Sequence, residues 1–208
     1  GAHPPVLPFV ALSNPSTAHM RKLAVVLALF APAAVPAHPQ SLDARLPTCL
    51  ACHGENGQSQ LPNVPSLGAQ PATYALIQLV MFRDKLRESE PMNGMTKGLS
   101  DDDLRKAADV ISKLPAPEVL PEAADPARME KARALAAEHR CNFCHQSNFG
   151  GDQSVPRLAG QREDYLLKAL RSYKDNSRHG YDAQMSEVTY VMKDEDFVEL
   201  AYFLARLK

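Results

Sequence analysis

The sequence predicts an all-α fold built from two tandem domains, and three observations support this prediction. A five-residue motif, Cys-x-x-Cys-His, occurs at Cys49–His53 and again at Cys141–His145. Further landmarks recur at separations of 91 to 93 residues, so the chain contains an internal repeat. Apolar residues follow helical spacing in both copies, whereas the alternation typical of β-strands is essentially absent.

The composition is that of a globular protein without a nucleic-acid partner. Hydrophobic residues make up 45% of the 208 residues and charged residues 23%. Lys and Arg number 23 against 24 Asp and Glu, so no basic surface for nucleic acid is expected. Because aromatic residues are only 6% and Trp is absent, the core must draw its bulk from aliphatic side chains or from a bound group.

The first 37 residues contain no Asp or Glu and differ from the rest of the chain. Residues 20–37 start with Met20 and two basic residues, continue with the apolar run Leu23–Phe30 and end in small residues. This pattern predicts a secretory signal peptide and therefore a periplasmic protein. An uncleaved signal that anchors the protein in the membrane is the alternative. Residues 1–19 precede the signal and are an unassigned leader or an artificial extension.

The two Cys-x-x-Cys-His motifs predict covalent attachment of two haem c groups. Two thiols on one helical turn form thioethers with the porphyrin vinyl groups, and the histidine that follows ligates the iron. A redox dithiol or half of a zinc site is the alternative for one such motif, but two copies favour haem. The chain has four cysteines, so this assignment leaves none for a disulfide. The predicted thioether residues are Cys49, Cys52, Cys141 and Cys144, and the predicted iron ligands are His53 and His145.

The internal repeat also predicts the domain boundaries. Pro65–Gln70 recurs as Pro156–Gln161. Ser100–Leu104 recurs as Lys193–Phe197. The linker between the repeats is rich in proline and acidic residues, which is typical of a solvated tether. The predicted organisation is a first haem domain over 38–114, a linker over 115–126 and a second haem domain over 127–208.

Helical patterns are expected around both motifs. Ala127–Arg140 has an apolar stripe that leads into the second motif, whereas Pro47 weakens the equivalent helix before the first motif. Helices are also predicted from Pro71 to about Arg87 and over Glu163–Lys174, since proline suits the first helical turn.

The last helix of each domain is predicted from its cap and its apolar stripe. Ser100 is expected to cap the first of these helices together with Asp103. Domains of fewer than about 90 residues have little core of their own, so the haem is expected to supply apolar volume. The predicted stripes are Leu104, Ala107, Ala108, Ile111 and Leu114 in the first domain, and Phe197, Leu200, Ala201 and Leu204 in the second.

Comparison of the repeats selects a second axial ligand for each iron. When the final helices are aligned, Met92 coincides with Met185, and these residues follow the motif histidines by 39 and 40 residues. A lone methionine would be interpreted as flexible core filler, but the duplicated position favours ligation. His179 is the alternative ligand in the second domain, although it aligns with Leu86. The unmatched methionines Met95 and Met192 align with Val188 and Leu99.

These residues resemble the di-haem class I cytochromes c of the cytochrome c4 type and their single-domain cytochrome c553-like relatives. The resemblance covers about Leu46–Lys208. It rests on the two haem motifs, the two Pro-x-Leu-x-x-Gln turns and the Met-x-x-Met-x-x-x-Leu-Ser-Asp run at Met92–Asp101. The chain departs from the family where Lys193 replaces the helix-start serine and where Ala108–Ile111 replaces an aromatic pair.

The resemblance implies further site residues. It favours Met92 rather than Met95 as the ligand. It also implies that the carbonyls of Pro65 and Pro156 accept the ring N–H of the axial histidines, which orients each ring.

Four side chains on the predicted helices after the haem motifs are candidates for the haem propionates. Partly buried propionates need hydrogen-bond donors, and Tyr and Arg side chains supply them. The alternative is an ordinary amphipathic helix surface. The candidates are Tyr74, Arg83, Tyr165 and Arg171.

Ligation by His and Met on both irons predicts an electron carrier rather than an enzyme. No coordination position is left for a substrate, and a Met ligand raises the reduction potential. The expected partners are transient redox proteins, namely a respiratory or dehydrogenase donor and a terminal acceptor, with peripheral association with membrane respiratory complexes. One alternative is a dedicated cytochrome subunit of a periplasmic dehydrogenase. Another is a di-haem oxidoreductase such as a thiosulfate dehydrogenase, which would need a spare cysteine ligand.

Overall fold

The structure is a computed structural model that describes residues 1–2, 41–119, 124–181 and 183–208. The described residues from Ser41 onward belong to one compact unit. The predicted signal peptide over 20–37 lies outside the described residues, as does the predicted leader over 1–19 apart from its first two residues.

The described residues are helical, and β-structure among them is limited to an isolated bridge between Asp152 and Val155. The prediction of an all-α fold is therefore confirmed. The helices are α1 (Leu42–His53), α2 (Ala72–Arg83), α3 (Glu90–Thr96), α4 (Asp101–Lys113), α5 (Pro126–Glu138), α6 (Cys141–His145), α7 (Glu163–Lys174), α8 (Gln184–Tyr190) and α9 (Asp194–Ala205).

The helices pack as two equivalent sets, one in each repeat. In the first repeat, α4 packs against α1 and α2, and α3 packs against α2. In the second repeat, α9 packs against α5 and α7, and α8 packs against α7. The helices α5 and α6 together therefore correspond to α1, and each haem motif lies at the end of an opening helical segment.

The opening segments differ between the repeats, and the expectation of a weak first helix is wrong. Helix α1 continues through Pro47 to His53 although proline removes one backbone N–H from the helix. Its first turn is held from outside, because the Leu42 N–H donates to Asp103 at 3.4 Å. In the second repeat Arg140 adopts a left-handed conformation with φ of 53°, which separates α5 from α6.

The predicted Ser100 cap and the apolar stripes occur in the last helices, except that Leu114 lies just beyond α4 and is only half-buried. The Ser100 side chain accepts the Asp103 N–H, and the Asp103 carboxylate accepts the Ser100 N–H in return. In the second repeat the Asp196 carboxylate accepts the Lys193 N–H at 2.9 Å. The buried residues are Leu104, Ala107, Ala108 and Ile111 in α4, and Phe197, Leu200, Ala201 and Leu204 in α9.

Most residues in the described part of the linker are exposed, as expected for a solvated tether, but its first residues also make specific contacts. Pro117 is buried. Gln58 donates to the Glu118 carbonyl at 2.9 Å and accepts the Glu118 N–H at 3.2 Å. A side chain at Gly68 would bring its Cβ to 2.0 Å from the Pro115 carbonyl oxygen, so only glycine permits this approach.

The two repeats meet through their Pro-x-Leu-x-x-Gln turns. The Gln70 amide donates to the Arg157 carbonyl at 2.9 Å and accepts the Arg157 N–H at 3.0 Å. The Gln161 amide donates to the Ser66 carbonyl and accepts the Ser66 N–H, both at 2.8 Å. Because Ser66 is equivalent to Arg157 and Gln70 to Gln161, the same contact is made twice, as in an interface with two-fold symmetry.

Candidate haem sites

The four cysteines of the haem motifs are unpaired thiols at the ends of the opening helical segments. Cys49 and Cys141 are half-buried, whereas Cys52 and Cys144 are exposed. Burial raises the pKa of the Cys49 and Cys141 thiols. The zinc alternative finds no support in the described residues, which hold no group of three or more His, Cys, Asp or Glu side chains suited to a metal ion.

Both motif histidines are buried, and the ring of each lies against a proline carbonyl. Nδ1 of His53 lies 2.8 Å from the Pro65 carbonyl oxygen, and Nδ1 of His145 lies 3.0 Å from that of Pro156. A carbonyl only accepts, so Nδ1 carries the proton and Nε2 keeps its lone pair. Burial lowers the pKa of both imidazoles, partly opposed by the bonds to the carbonyls, so each ring is neutral as a metal ligand must be.

The methionines predicted as ligands lie on equivalent short helices, and the carbonyl of each accepts an equivalent hydrogen bond. Met92 in α3 and Met185 in α8 are both half-buried. The Thr96 hydroxyl donates to the Met92 carbonyl at 2.9 Å, and the Thr189 hydroxyl donates to the Met185 carbonyl at 2.7 Å. Both threonines are buried. Thr96 and Thr189 were not among the predicted site residues, although they keep the same 93-residue separation as the methionines.

The other candidate ligands have different surroundings. Met192 is 2% exposed and packs in the apolar core of the second repeat with Phe197 and Phe203. Met95 is half-buried, and its carbonyl accepts a hydrogen bond from Arg45 at 2.7 Å. The His179 side chain is exposed.

Two tyrosines predicted as propionate contacts come together with two arginines that the sequence analysis missed. Arg178 donates to the Tyr74 hydroxyl at 3.2 Å and to the Tyr165 hydroxyl at 3.3 Å. Arg87 donates to the Tyr165 hydroxyl at 3.2 Å. Arg87 and Arg178 are 91 residues apart, as are the tyrosines, so the repeat itself carried the signal. We call these four residues the Tyr–Arg cluster.

The Tyr–Arg cluster is cationic, and within the described residues no carboxylate pairs with either of its arginines. Arg178 is 8% exposed, and its Nε has no hydrogen-bond partner among the described residues. Burial raises the pKa of Tyr165, but Arg178 and Arg87 outweigh it and lower that pKa to about 7. A buried guanidinium without a counter-ion is costly. The cluster therefore suits a carboxylate ligand, and a haem propionate fits this chemistry.

The arginines predicted as propionate contacts, Arg83 and Arg171, have carboxylate partners within their own repeats. Arg83 pairs with Asp84 at 2.9 Å and with Asp101 at 2.6 Å. Arg171 is exposed and donates twice to Asp194 at 2.6 Å. Their role toward the propionates stays a prediction, and the geometry favours Arg87 and Arg178 over them.

Comparisons with known proteins agree with this site chemistry. Residues 129–208 match the family Cytochrome c. The thiosulfate dehydrogenase electron acceptor of Thiomonas intermedia is 32% identical over 185 residues, which cover 83% of this chain and 84% of the relative. Cytochrome c4 of Pseudomonas aeruginosa is 28% identical over 175 residues, which cover 79% of this chain and 86% of the relative. This chain belongs to the di-haem cytochrome c4 family. Reduced cytochrome c4 from Pseudomonas stutzeri has a similar structure, with a TM-score of 0.73 and 27% identity over 80% of this chain and 97% of that one.

Membership of the cytochrome c4 family confirms several predictions. The protein has two class I cytochrome c domains, binds two haem c groups covalently and is an electron-transfer protein rather than an enzyme. The unpaired thiols and the neutral, buried imidazoles fit this cofactor. None of the helices within the described ranges has the length and apolarity needed to cross a bilayer.

The Tyr–Arg cluster makes a testable prediction for this cytochrome c4-type protein. We expect Arg178→Gln to lower the reduction potential of at least one haem if the cluster binds propionates, because removing a cation that pairs with a propionate favours the ferric form. A partly buried charge pair is worth on the order of 1 kcal/mol, or about 40 mV for one electron. Redox titration measures this shift.

The matched control for this prediction is Arg171→Gln. This guanidinium is exposed and already pairs with Asp194, so both potentials are expected to stay unchanged. A larger shift in reduction potential for Arg171→Gln than for Arg178→Gln would contradict the role of the Tyr–Arg cluster. It would instead favour Arg83 and Arg171 as the propionate contacts.

Proposed function

We propose that this chain is a periplasmic electron carrier in which each iron has one histidine and one methionine ligand. The observation that carries the proposal is a duplicated arrangement: a buried histidine bonded to a proline carbonyl, and a half-buried methionine on a short helix whose carbonyl accepts a bond from a buried threonine one turn on. In the first repeat the proposed haem residues are Cys49, Cys52, His53 and Met92. In the second repeat they are Cys141, Cys144, His145 and Met185.

In this proposal the cysteines attach the haems covalently, and the histidines and methionines ligate the irons. When bound, the haems supply one-electron redox chemistry. Pro65 and Pro156 hold the imidazole rings in one orientation. Within α3 and α8, the buried threonines bond to the methionine carbonyls one turn back and so stabilise the two short helices that carry the methionines. His53 with Met92, and His145 with Met185, would leave no coordination position for a substrate, so the bound haems would supply electron transfer without substrate binding at the metal.

We propose a dehydrogenase as the electron donor and a terminal oxidase or reductase as the acceptor. The relative from Thiomonas intermedia is named as an acceptor for thiosulfate dehydrogenase, which supports a donor that oxidises inorganic sulfur anions. Export of the chain, supported by the pattern of residues 20–37, places the carrier where such donors work. Its contacts with membrane respiratory complexes are transient and peripheral.

The decisive test combines electron transfer with a ligand challenge. Purified protein mixed with a thiosulfate dehydrogenase and thiosulfate is expected to take up two electrons per chain. The reduced protein is expected to resist carbon monoxide, because methionine occupies the position that the gas would need. Rapid binding of carbon monoxide at both haems would overturn the proposed ligand set.

The same preparation distinguishes a free carrier from a dedicated subunit. Free carriers use small interfaces, so the protein is expected to separate from its donor in moderate salt. Co-purification with a dehydrogenase through high salt would instead establish the subunit alternative.

A further inference from the structure

One peptide group connects the haem-site histidine of the first repeat to a glutamine of the second. The Pro65 carbonyl accepts the Nδ1–H of His53 at 2.8 Å. The N–H of the same peptide group belongs to Ser66 and donates to Oε1 of Gln161 at 2.8 Å. The chain of bonds therefore runs from an imidazole of one repeat to a side chain of the other.

The equivalent connection runs in the opposite direction. The Pro156 carbonyl accepts the Nδ1–H of His145 at 3.0 Å, and the Arg157 N–H donates to Oε1 of Gln70 at 3.0 Å. Both glutamines are buried, with exposed fractions of 6% for Gln70 and 4% for Gln161. Their amide N–H groups donate to the next carbonyl along the chain and therefore do not compete for the Pro–X peptide group. Oε1 of Gln161 also accepts the Arg162 N–H at 3.0 Å.

We propose that Gln70 and Gln161 are positioning residues that tune the axial histidine of the opposite repeat. An amide oxygen that accepts the N–H of a peptide group polarises that group, so its carbonyl becomes a stronger acceptor. A stronger acceptor draws the histidine Nδ1–H and raises the electron density of the imidazole, which favours the ferric iron. The low dielectric of the buried interface strengthens both bonds. This inference rests on the proposed assignment of His53 and His145 as axial ligands.

Through these hydrogen bonds, the contact between the two repeats becomes part of the environment of each haem. A glutamine lowers the reduction potential of the haem in the other repeat, and the haem of its own repeat is unaffected by this route. A glutamine that merely held the repeats together would act on both haems alike when removed, because both would gain exposure to water. The crossed pattern therefore separates tuning from simple docking.

The test replaces each glutamine by methionine, which has a similar length but is only a weak acceptor. Gln161→Met is expected to raise the potential of the first haem alone, and Gln70→Met that of the second haem alone. The control is Gln58→Met, since Gln58 makes the same pair of bonds to the Glu118 backbone but contacts neither Pro–X peptide group. This control is expected to leave both potentials unchanged.

NMR of the reduced, ¹⁵N-histidine-labelled protein reports on the bond itself. The Nδ1–H resonance of His53 is expected to move upfield in Gln161→Met while that of His145 stays in place. Gln161→Glu and Gln70→Glu keep an acceptor of equal length and greater strength, so the resonance of the opposite histidine is expected to move downfield. These variants also test the proposal if the methionine variants fail to fold.

The outcomes separate this inference from the proposed function. Equal shifts of the reduction potentials of both haems would overturn the tuning role. So would a histidine Nδ1–H resonance that stays unchanged when the glutamine of the other repeat is replaced. If the unmodified protein shows His and Met ligation in its spectra, the proposed ligand set survives that result. Spectra without this ligation would overturn the ligand set itself.

Discussion

A variant with both Cys141 and Cys144 replaced by alanine is expected to carry one covalent haem instead of two. Without its thioethers the second repeat cannot retain the haem, and it loses apolar volume that its short helices do not replace. We therefore expect the cooperative unfolding transition of this repeat to disappear. Haem content per chain after acid–acetone extraction, together with thermal unfolding followed by circular dichroism, measures both effects.

The reciprocal variant, with Cys49 and Cys52 replaced by alanine, is the matched control. It is expected to retain the second haem and the core around Phe197 and Phe203. Extraction of the unmodified protein is expected to leave two haems on the polypeptide. Release of free haem from that protein would contradict the covalent assignment.

Replacing Met92 or Met185 by histidine is expected to lower the potential of one haem while its iron stays six-coordinate and low-spin. An imidazole favours the ferric state more than a thioether does. A shift on the order of 0.2 V is reasonable within the roughly 0.8 V range over which axial ligands set haem potentials. Potentiometric titration with absorption and electron paramagnetic resonance spectra follows both properties.

The remaining methionines provide the controls for this ligand assignment. Met192 lies in the core of the second repeat, so Met192→Leu is expected to cost less than about 1.5 kcal/mol of stability and to leave the spectra unchanged. Met95→Leu is expected to behave in the same way. High-spin iron in Met95→Leu, or unchanged potentials in Met92→His, would contradict the assignment.

Long helices with strong local signals were predictable from the sequence. The bounds of α7 at Glu163 and Lys174 agree with the expectation, and the Ser100 cap occurs as predicted. Helices α3 and α8 were missed because seven residues are too few for an apolar period and neither has a side-chain cap. Helix α1 was underestimated because contacts from Asp103 and Met95 support it against the local effect of Pro47.

The site residues divide in a similar way. The haem motifs were predictable because their five residues are consecutive in the sequence. The methionine ligands were predictable because both repeats carry a methionine at the equivalent position. The arginines of the Tyr–Arg cluster were not predicted, because Arg178 follows the helix predicted over Glu163–Lys174 and Arg87 stands at the uncertain end of the helix predicted from Pro71, four residues beyond the last residue of α2. The glutamine contacts join residues 87 and 95 positions apart, and no local pattern indicates such pairing.

The central claim is that both irons have a histidine and a methionine ligand, and the near-infrared spectrum of the oxidised protein tests it most directly. A weak sulfur-to-iron charge-transfer band reports methionine ligation. We predict this band with an intensity corresponding to two sites per chain. Its intensity is expected to fall by half in Met92→His and by half in Met185→His, and the band is expected to be absent when both substitutions are combined. A spectrum without the band in the unmodified protein, at a haem content of two per chain, would contradict the account.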